Sequence, residues 1–136
     1  MTTTHLEAPA PSDDDAELTA LGDQLVRNSK RPRDRIAAQA LADERTILAL
    51  PAFQRALVVE HEGRPVAQWE RLMGQQYALP LDGEQRSFLG LVLSMLSIGA
   101  TPLAAVTDLS ADRLRIITQA ILRMAGDDSI AIGTRL

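Results

Sequence analysis

Residues 87–107 read SFLGLVLSMLSIGATPLAAVT, a run without a single charged side chain. This apolar mass must be buried in the chain's own core, in another subunit or in a membrane. A bilayer span needs about 20 predominantly apolar residues, but Pro102 interrupts this run and several small or polar residues dilute it. The sequence therefore predicts a buried helix followed by a turn, and not a membrane span.

Capping patterns predict two long helices on either side of that turn. Asp82 and Gln85 match a capping box, so one helix is expected from there to about Ile98, apolar on every side. Ser110 caps the last long helix, which ends near Gly126, and a short helix over 102–107 is expected between the two. The inward stripe of the last helix is predicted to be Leu114, Ile117, Ile121 and Met124, widened by Ile116, Ala120 and Leu122.

The N-terminal third of the chain has the pattern of two helices. Ser12 and the three aspartates after it favour a helix start, because the hydroxyl caps a free N–H and acids suit the positive end of the helix dipole. Leucines at a spacing of three and four then continue this helix to about Arg27. A second helix is expected over about 33–49.

Two prolines divide the next stretch. Pro51 and Pro65 suit the first turns of a third helix to about His61 and a fourth helix to about Gln76. Residues 56–69 have an alternative interpretation as a two-stranded hairpin with a Glu-Gly turn. Helices are the preferred interpretation, because proline cannot donate to a strand ladder.

Together these elements predict an all-α fold, a compact bundle of five to six helices. Its helical domain is expected over 12–126, since a chain of 136 residues has the common size of one domain. Residues 1–11 are expected to form a disordered arm, and residues 127–136 an extended tail.

Composition excludes some functions and leaves others open. The sequence contains no cysteine, which excludes disulfides and sulfur-ligated zinc and is compatible with a cytoplasmic location. The net charge is −4, and the excess of acids lies within the first 30 residues. A near-neutral body does not favour broad nucleic-acid binding, which requires a surface that neutralises phosphates.

The sequence has no motif that names a reaction. His61 lies between Glu60 and Glu62, but neighbours in a helix point to different faces and cannot converge on a metal or a substrate. No Gly-rich phosphate loop or nucleophile elbow is present. We therefore expect no catalytic residue, no cofactor and no metal ligand, although an enzyme without a sequence signature stays open.

A basic segment joins the first two helices. It could contact phosphates or an acidic partner, but a solvated link is the simpler interpretation. The cations of this segment are Arg27, Lys30, Arg31, Arg33 and Arg35.

An alternative function comes from the order of elements in residues 84–125. A helix, a turn and a longer helix match a helix-turn-helix, and the polar face of the last helix has side chains able to reach bases and phosphates. The candidate DNA-binding residues are Arg113, Arg115, Gln119 and Arg123.

The C-terminal sequence Asp-Ser-Ile-Ala-Ile-Gly-Thr-Arg-Leu, residues 128–136, resembles the cargo-loading peptides of encapsulin nanocompartments. The resemblance implies that Ile130, Ile132 and Leu136 fill apolar pockets on a shell wall and that Gly133 permits the bend. It adds a second alternative function, encapsulin cargo or adaptor. Independently of it, alternating apolar residues on an extended segment suit docking on a protein partner.

The function predicted from the residues themselves is that of a small non-catalytic interaction or regulatory protein. Its binding surfaces would be the apolar helix faces and the tail, with Ile130, Ile132, Gly133 and Leu136 as partner-binding residues. The partner would be a second copy of the chain, giving a homo-oligomer, or another protein. DNA is the less favoured partner, and no membrane contact is expected.

Overall fold

The computed structural model describes residues 13–75, 77–126 and 130. Five α-helices, one hairpin and two 3-10 helices lie in this part of the chain, so the predicted helical fold is confirmed. The arm predicted for residues 1–11 lies outside the described residues, as does the tail apart from Ile130. The elements are α1 (Asp13–Arg27), α2 (Pro32–Glu44), α3 (Pro51–Leu57), β1 (Val58–His61), β2 (Arg64–Ala67), the first 3-10 helix (Trp69–Leu72), α4 (Gly83–Met95), the second 3-10 helix (Leu103–Asp108) and α5 (Ala111–Ala125).

Helix α4 lies at the centre of the core, as the uncharged sequence of its residues 87–95 predicts. The backbone N–H of Gln85 donates to the Asp82 carboxylate at 2.8 Å, and the Asp82 N–H donates to the Gln85 side chain at 3.0 Å, which is the predicted capping box. Among the described residues, no helix has both the length and the hydrophobicity that crossing a bilayer requires. The buried residues of α4 are Phe88, Leu89, Gly90, Leu91, Val92, Leu93 and Met95.

Gly90 allows the turn after α4 to fold back onto the helix. A Cβ atom at this position would lie 2.5 Å from the Thr101 hydroxyl oxygen, closer than packed atoms approach. The Thr101 N–H donates to the Ser94 hydroxyl at 3.1 Å and fixes the turn in place. A small residue in the middle of α4 therefore has a packing role, which outweighs the low helix propensity of glycine.

Helix α2 is shorter than predicted, and the prediction of helix over 45–49 is wrong. Arg45 has a φ of 71°, which ends the helix after Glu44. The Glu44 carboxylate accepts hydrogen bonds from the Ile47 N–H at 3.0 Å and from the Thr46 hydroxyl, and so replaces the helical partners of this turn. Ile47 and Leu48 in this turn are nevertheless buried.

The predicted third and fourth helices are also wrong beyond Leu57, and the hairpin alternative is correct. Strands β1 and β2 pair antiparallel, with Val59 opposite Val66 and His61 opposite Arg64. The two turn residues, Glu62 and Gly63, both have positive φ, at 53° and 75°. Two-residue hairpin turns with positive φ at both positions match the twist of the paired strands. The hairpin therefore forms here although the sequence also has a helical pattern.

Pro65 fits this hairpin because of its place in the register. It lies opposite Glu60, one pair beyond the residues that close the turn, and antiparallel pairs alternate between hydrogen-bonded and non-hydrogen-bonded. Glu60 and Pro65 form a non-hydrogen-bonded pair, so the missing N–H of proline removes no hydrogen bond between the strands. The outward-facing carbonyl of Pro65 instead accepts a hydrogen bond from the Asn28 side chain at 2.8 Å.

Helix α5 faces the core differently from the prediction. Ile117 and Ala120 are fully buried, and α5 packs mainly on α2. Three members of the predicted inward stripe are substantially exposed, namely Leu114, Ile121 and Met124. The prediction was wrong for these three because Arg113, which a sequence pattern assigns to solvent, lies on the inward side.

Candidate functional site

The most organised polar group in the described part of the chain is an ion cluster (Glu44, Thr46, Glu84 and Arg113). The last residue of α2 supplies Glu44, and the first turn of α4 supplies Glu84. Arg113 comes from the first turn of α5, where Ser110 caps the helix. Three helix ends therefore meet at this cluster, although Glu44 and Arg113 are 69 positions apart in the sequence.

Arg113 bridges the two carboxylates. Its guanidinium lies 2.7 Å from Glu44 through Nη2 and 2.7 Å from Glu84 through Nη1, and its Nε donates to Glu44 at 2.9 Å. A further donation at 3.2 Å reaches the Thr46 hydroxyl. The Glu44 side chain is only 2% exposed and that of Arg113 is 18% exposed, so solvent screens this pair weakly.

The hydrogen bonds of the cluster favour the charged forms of Glu84 and Arg113. The hydrogen bond from Arg113 lowers the pKa of Glu84 to about 2, with further help from the backbone and hydroxyl of Ser110. Burial alone lowers the pKa of Arg113, but the hydrogen bonds and charges of Glu84 and Glu44 outweigh that effect and raise it. A general acid needs a raised carboxyl pKa, so Glu84 is unsuited to proton transfer and suited to joining helices.

A cleft of about 480 Å³ adjoins the cluster. Arg115 and Gln119 from the predicted DNA-binding set line it together with Arg113, and acids from both α2 and α5, Asp43 and Asp112, line it as well. Cations and acids both line this opening. The mixture of charges gives no single class of ligand an electrostatic advantage.

The structure places the four DNA-binding candidates in different environments. Arg113 points inward to its two acids, and Arg115 pairs with Asp112 at 3.0 Å. Gln119 is half-buried, and Arg123 is exposed. The DNA-binding alternative stays a prediction, and it now depends on Arg115, Gln119 and Arg123, because two carboxylates of other helices hold Arg113 within the fold.

A second candidate surface is the α5 ridge (Leu114, Ile121 and Met124). These side chains are 41%, 44% and 39% exposed, and successive members lie seven and three positions apart, so they follow one side of the helix. Buried Ile117 lies between them in sequence. An apolar row of this kind on a surface helix is typical of a protein-binding face.

His61 and the tail complete the set of predicted residues. His61 is exposed at the end of β1, and no group of three or more metal-ligating side chains comes together among the described residues. Ile130 is 53% exposed, whereas Ile132, Gly133 and Leu136 lie outside the described residues. The partner-binding role of the tail and its encapsulin alternative therefore stay predictions.

Sequence reasoning missed Glu44 and Glu84 as members of the site. The capping-box pattern placed Glu84 on the first turn of α4, but no pattern joins Glu44 to an arginine far along the chain. The α5 ridge was found from the sequence, with the wrong orientation. No known protein family, curated protein or solved structure matches the chain.

Proposed function

We propose that this protein is a non-catalytic interaction protein that self-associates through the α5 ridge and its C-terminal tail. The observation that carries the proposal is the exposure of three large apolar side chains on α5, a helix that packs mainly on α2 and has Ile117 and Ala120 buried. The partner in this proposal is a second copy of the chain. It places the protein in the cytoplasm, which the absence of cysteine fits.

The residues of the α5 ridge are arranged for pairing with themselves. In an antiparallel pair of α5 helices centred between Ile117 and Thr118, Leu114 of one copy meets Ile121 of the other. Two-fold symmetry then makes the reciprocal contact as well. The Thr118 hydroxyl at this centre already donates to the Leu114 carbonyl at 2.8 Å, so its burial leaves no donor unsatisfied.

Charge does not oppose this pairing. The charged residues of α5 near the ridge lie on its other faces, where Arg113 points inward and Arg115 pairs with Asp112. Two copies can therefore approach along the ridge without bringing like charges together. A heterologous partner would not require this symmetry, which favours a second copy.

The free energy gained by burying the α5 ridge is too small to hold a dimer without the tail. Complete burial of a large apolar side chain contributes about 1.5–3 kcal/mol, so the remaining exposed fraction of each ridge residue contributes about 1 kcal/mol. Six such side chains in a symmetric pair give about 6 kcal/mol, which only offsets the lower estimates of the cost of association. Apolar tail residues on each copy would supply the remainder.

Sedimentation velocity over a concentration series tests the proposal. The full chain is expected to form a dimer, whereas Ile121→Gln and a chain ending at Gly126 are expected to stay monomeric with unchanged helical content. Met73→Gln is the matched control, because Met73 is exposed but lies far from α5 in sequence, after the first 3-10 helix. A full chain that stays monomeric at millimolar concentration contradicts the proposal.

A further inference from the structure

A cleft of about 620 Å³ lies between the basic α1–α2 link and the hairpin. Its residues come from two segments more than 25 positions apart, which the fold brings together. We call it the hairpin cleft, and it is lined by Arg27, Asn28, Ser29, Lys30, Arg31, Asp34, His61, Glu62, Arg64, Val66 and Ala67.

Two hydrogen bonds hold the walls of the hairpin cleft. The Asn28 side chain donates to the Pro65 carbonyl at 2.8 Å and joins the link to β2. The Ser29 hydroxyl donates to the Leu25 carbonyl at 2.6 Å and fixes the end of α1. A direct contact therefore joins the α1–α2 link to the hairpin beside the cleft.

The cations of the hairpin cleft exceed its acids. Within the described part of the chain, Arg27, Lys30 and Arg64 make no ion pair. Arg31 differs, because it donates to Asp34 at 3.0 Å and its charge is compensated. Glu62, on the turn, is the one acid among the lining residues not paired in this way. An acidic chain of net charge −4 thus concentrates uncompensated positive charge in one concave place.

We propose that the hairpin cleft binds a small phosphate-bearing molecule with two or more negative charges. Arginine and lysine are the side chains that recognise phosphate oxygens, and two arginines and one lysine are available here without breaking an existing ion pair. The volume lies within the range of sites for small molecules, about 300–1,000 Å³. Such a site suits a compact ligand better than a duplex, which needs an extended basic surface.

Titration with inorganic triphosphate, followed by NMR, tests this proposal in low salt. His61 lines the cleft, and the only other histidine of the chain is His5, so the imidazole signals give a local probe. Saturable binding is expected to shift the His61 signals and the amide signals of residues 27–31 and 61–66. Removing two cations with Lys30→Gln and Arg64→Gln together is expected to weaken binding about tenfold or more.

The matched control removes two exposed cations outside the cleft, with Arg33→Gln and Arg55→Gln together. Binding retained in this control and lost in the cleft variant supports the proposal. Equal loss in both variants, unchanged binding in the cleft variant or the absence of saturation overturns it. Tricarballylate, which has three carboxylates, separates phosphate recognition from general attraction of anions, and equally tight binding of it also overturns the proposal.

Discussion

Replacement of Arg113 by methionine tests whether the ion cluster holds three helices together. Met keeps the aliphatic stem of the side chain but leaves the Glu44 carboxylate, 2% exposed, without its cation. Removing one partner of a buried ion pair costs about 3–5 kcal/mol. Glu44 keeps its hydrogen bonds from Ile47 and Thr46, so we expect the lower end, about 3 kcal/mol.

Urea unfolding followed by circular dichroism measures this loss of free energy, and a thermal scan should show a fall in Tm of about 10 °C. Arg115→Met is the matched control, because Arg115 pairs with an Asp112 side chain that is 84% exposed. That pair should contribute less than about 0.5 kcal/mol. The combination Glu44→Gln with Arg113→Met should recover about 1–2 kcal/mol, since it removes the unpaired buried charge.

This prediction fails if Arg113→Met unfolds within about 0.5 kcal/mol of the wild type, or if it is no less stable than Arg115→Met. Either result means that the cluster forms in the folded chain without stabilising it. Failure of the double variant to recover stability would show that the loss comes from packing and not from the unpaired carboxylate.

Three further predictions concern separate parts of the fold. The pKa of Glu84 falls from 4.5 to about 2 on folding, so the ionised carboxylate contributes fully to stability above pH 4.5 and this contribution disappears as the pH falls towards 2. Between pH 4.5 and 2 the urea midpoint of the wild type should therefore fall more than that of Glu84→Gln. In urea unfolding, Gly90→Ala should destabilise the protein by about 1–3 kcal/mol, because the new methyl group meets Thr101. Gly83→Ala is the control at an open position of the same helix, and it should be neutral or stabilise the protein by up to about 1 kcal/mol. Glu62→Asn should raise stability by about 0.5 kcal/mol in the same assay, because asparagine tolerates the positive φ of this turn better than glutamate; a loss would contradict the turn geometry.

The parts of the fold that the sequence predicts correctly are those set by local contacts. The capping box of Asp82 and Gln85 is complete within four residues, and the glycine at 126 has the left-handed φ of 74° that ends α5. Residues 87–95 of α4 could be assigned to the core because no charged residue gives them a solvent face. These features can be predicted from neighbouring residues alone, without knowing which distant segments pack against them.

The errors have long-range causes. Helix α2 ends at Glu44 because this carboxylate serves the turn after it and Arg113, 69 positions away. The same ion pair orients α5 about its axis, so that Arg113 faces inward and the α5 ridge faces outward. In the hairpin, proline disfavours a strand in general, and only the register shows that Pro65 lies at a pair where no N–H is needed.

The same limit applies to the candidate sites. The sequence places a basic segment after α1, but the helical interpretation of residues 58–67 kept Arg64 and His61 away from it. The hairpin brings both residues to the cleft, through the contact of Asn28 with Pro65. A site made by two segments therefore became visible only with the fold.

Disulfide cross-linking between copies tests whether two α5 helices pair antiparallel. The chain has no cysteine, so Leu114→Cys and Ile121→Cys can each be introduced without background reaction. In the proposed register these two positions meet across the pair, whereas two copies of position 114 lie about 10 Å apart along the axis, too far for a bond. A mixture of the two variants is expected to form the cross-linked dimer rapidly, and each variant alone only slowly. Equal cross-linking in all three samples, or none in the mixture, would contradict the account.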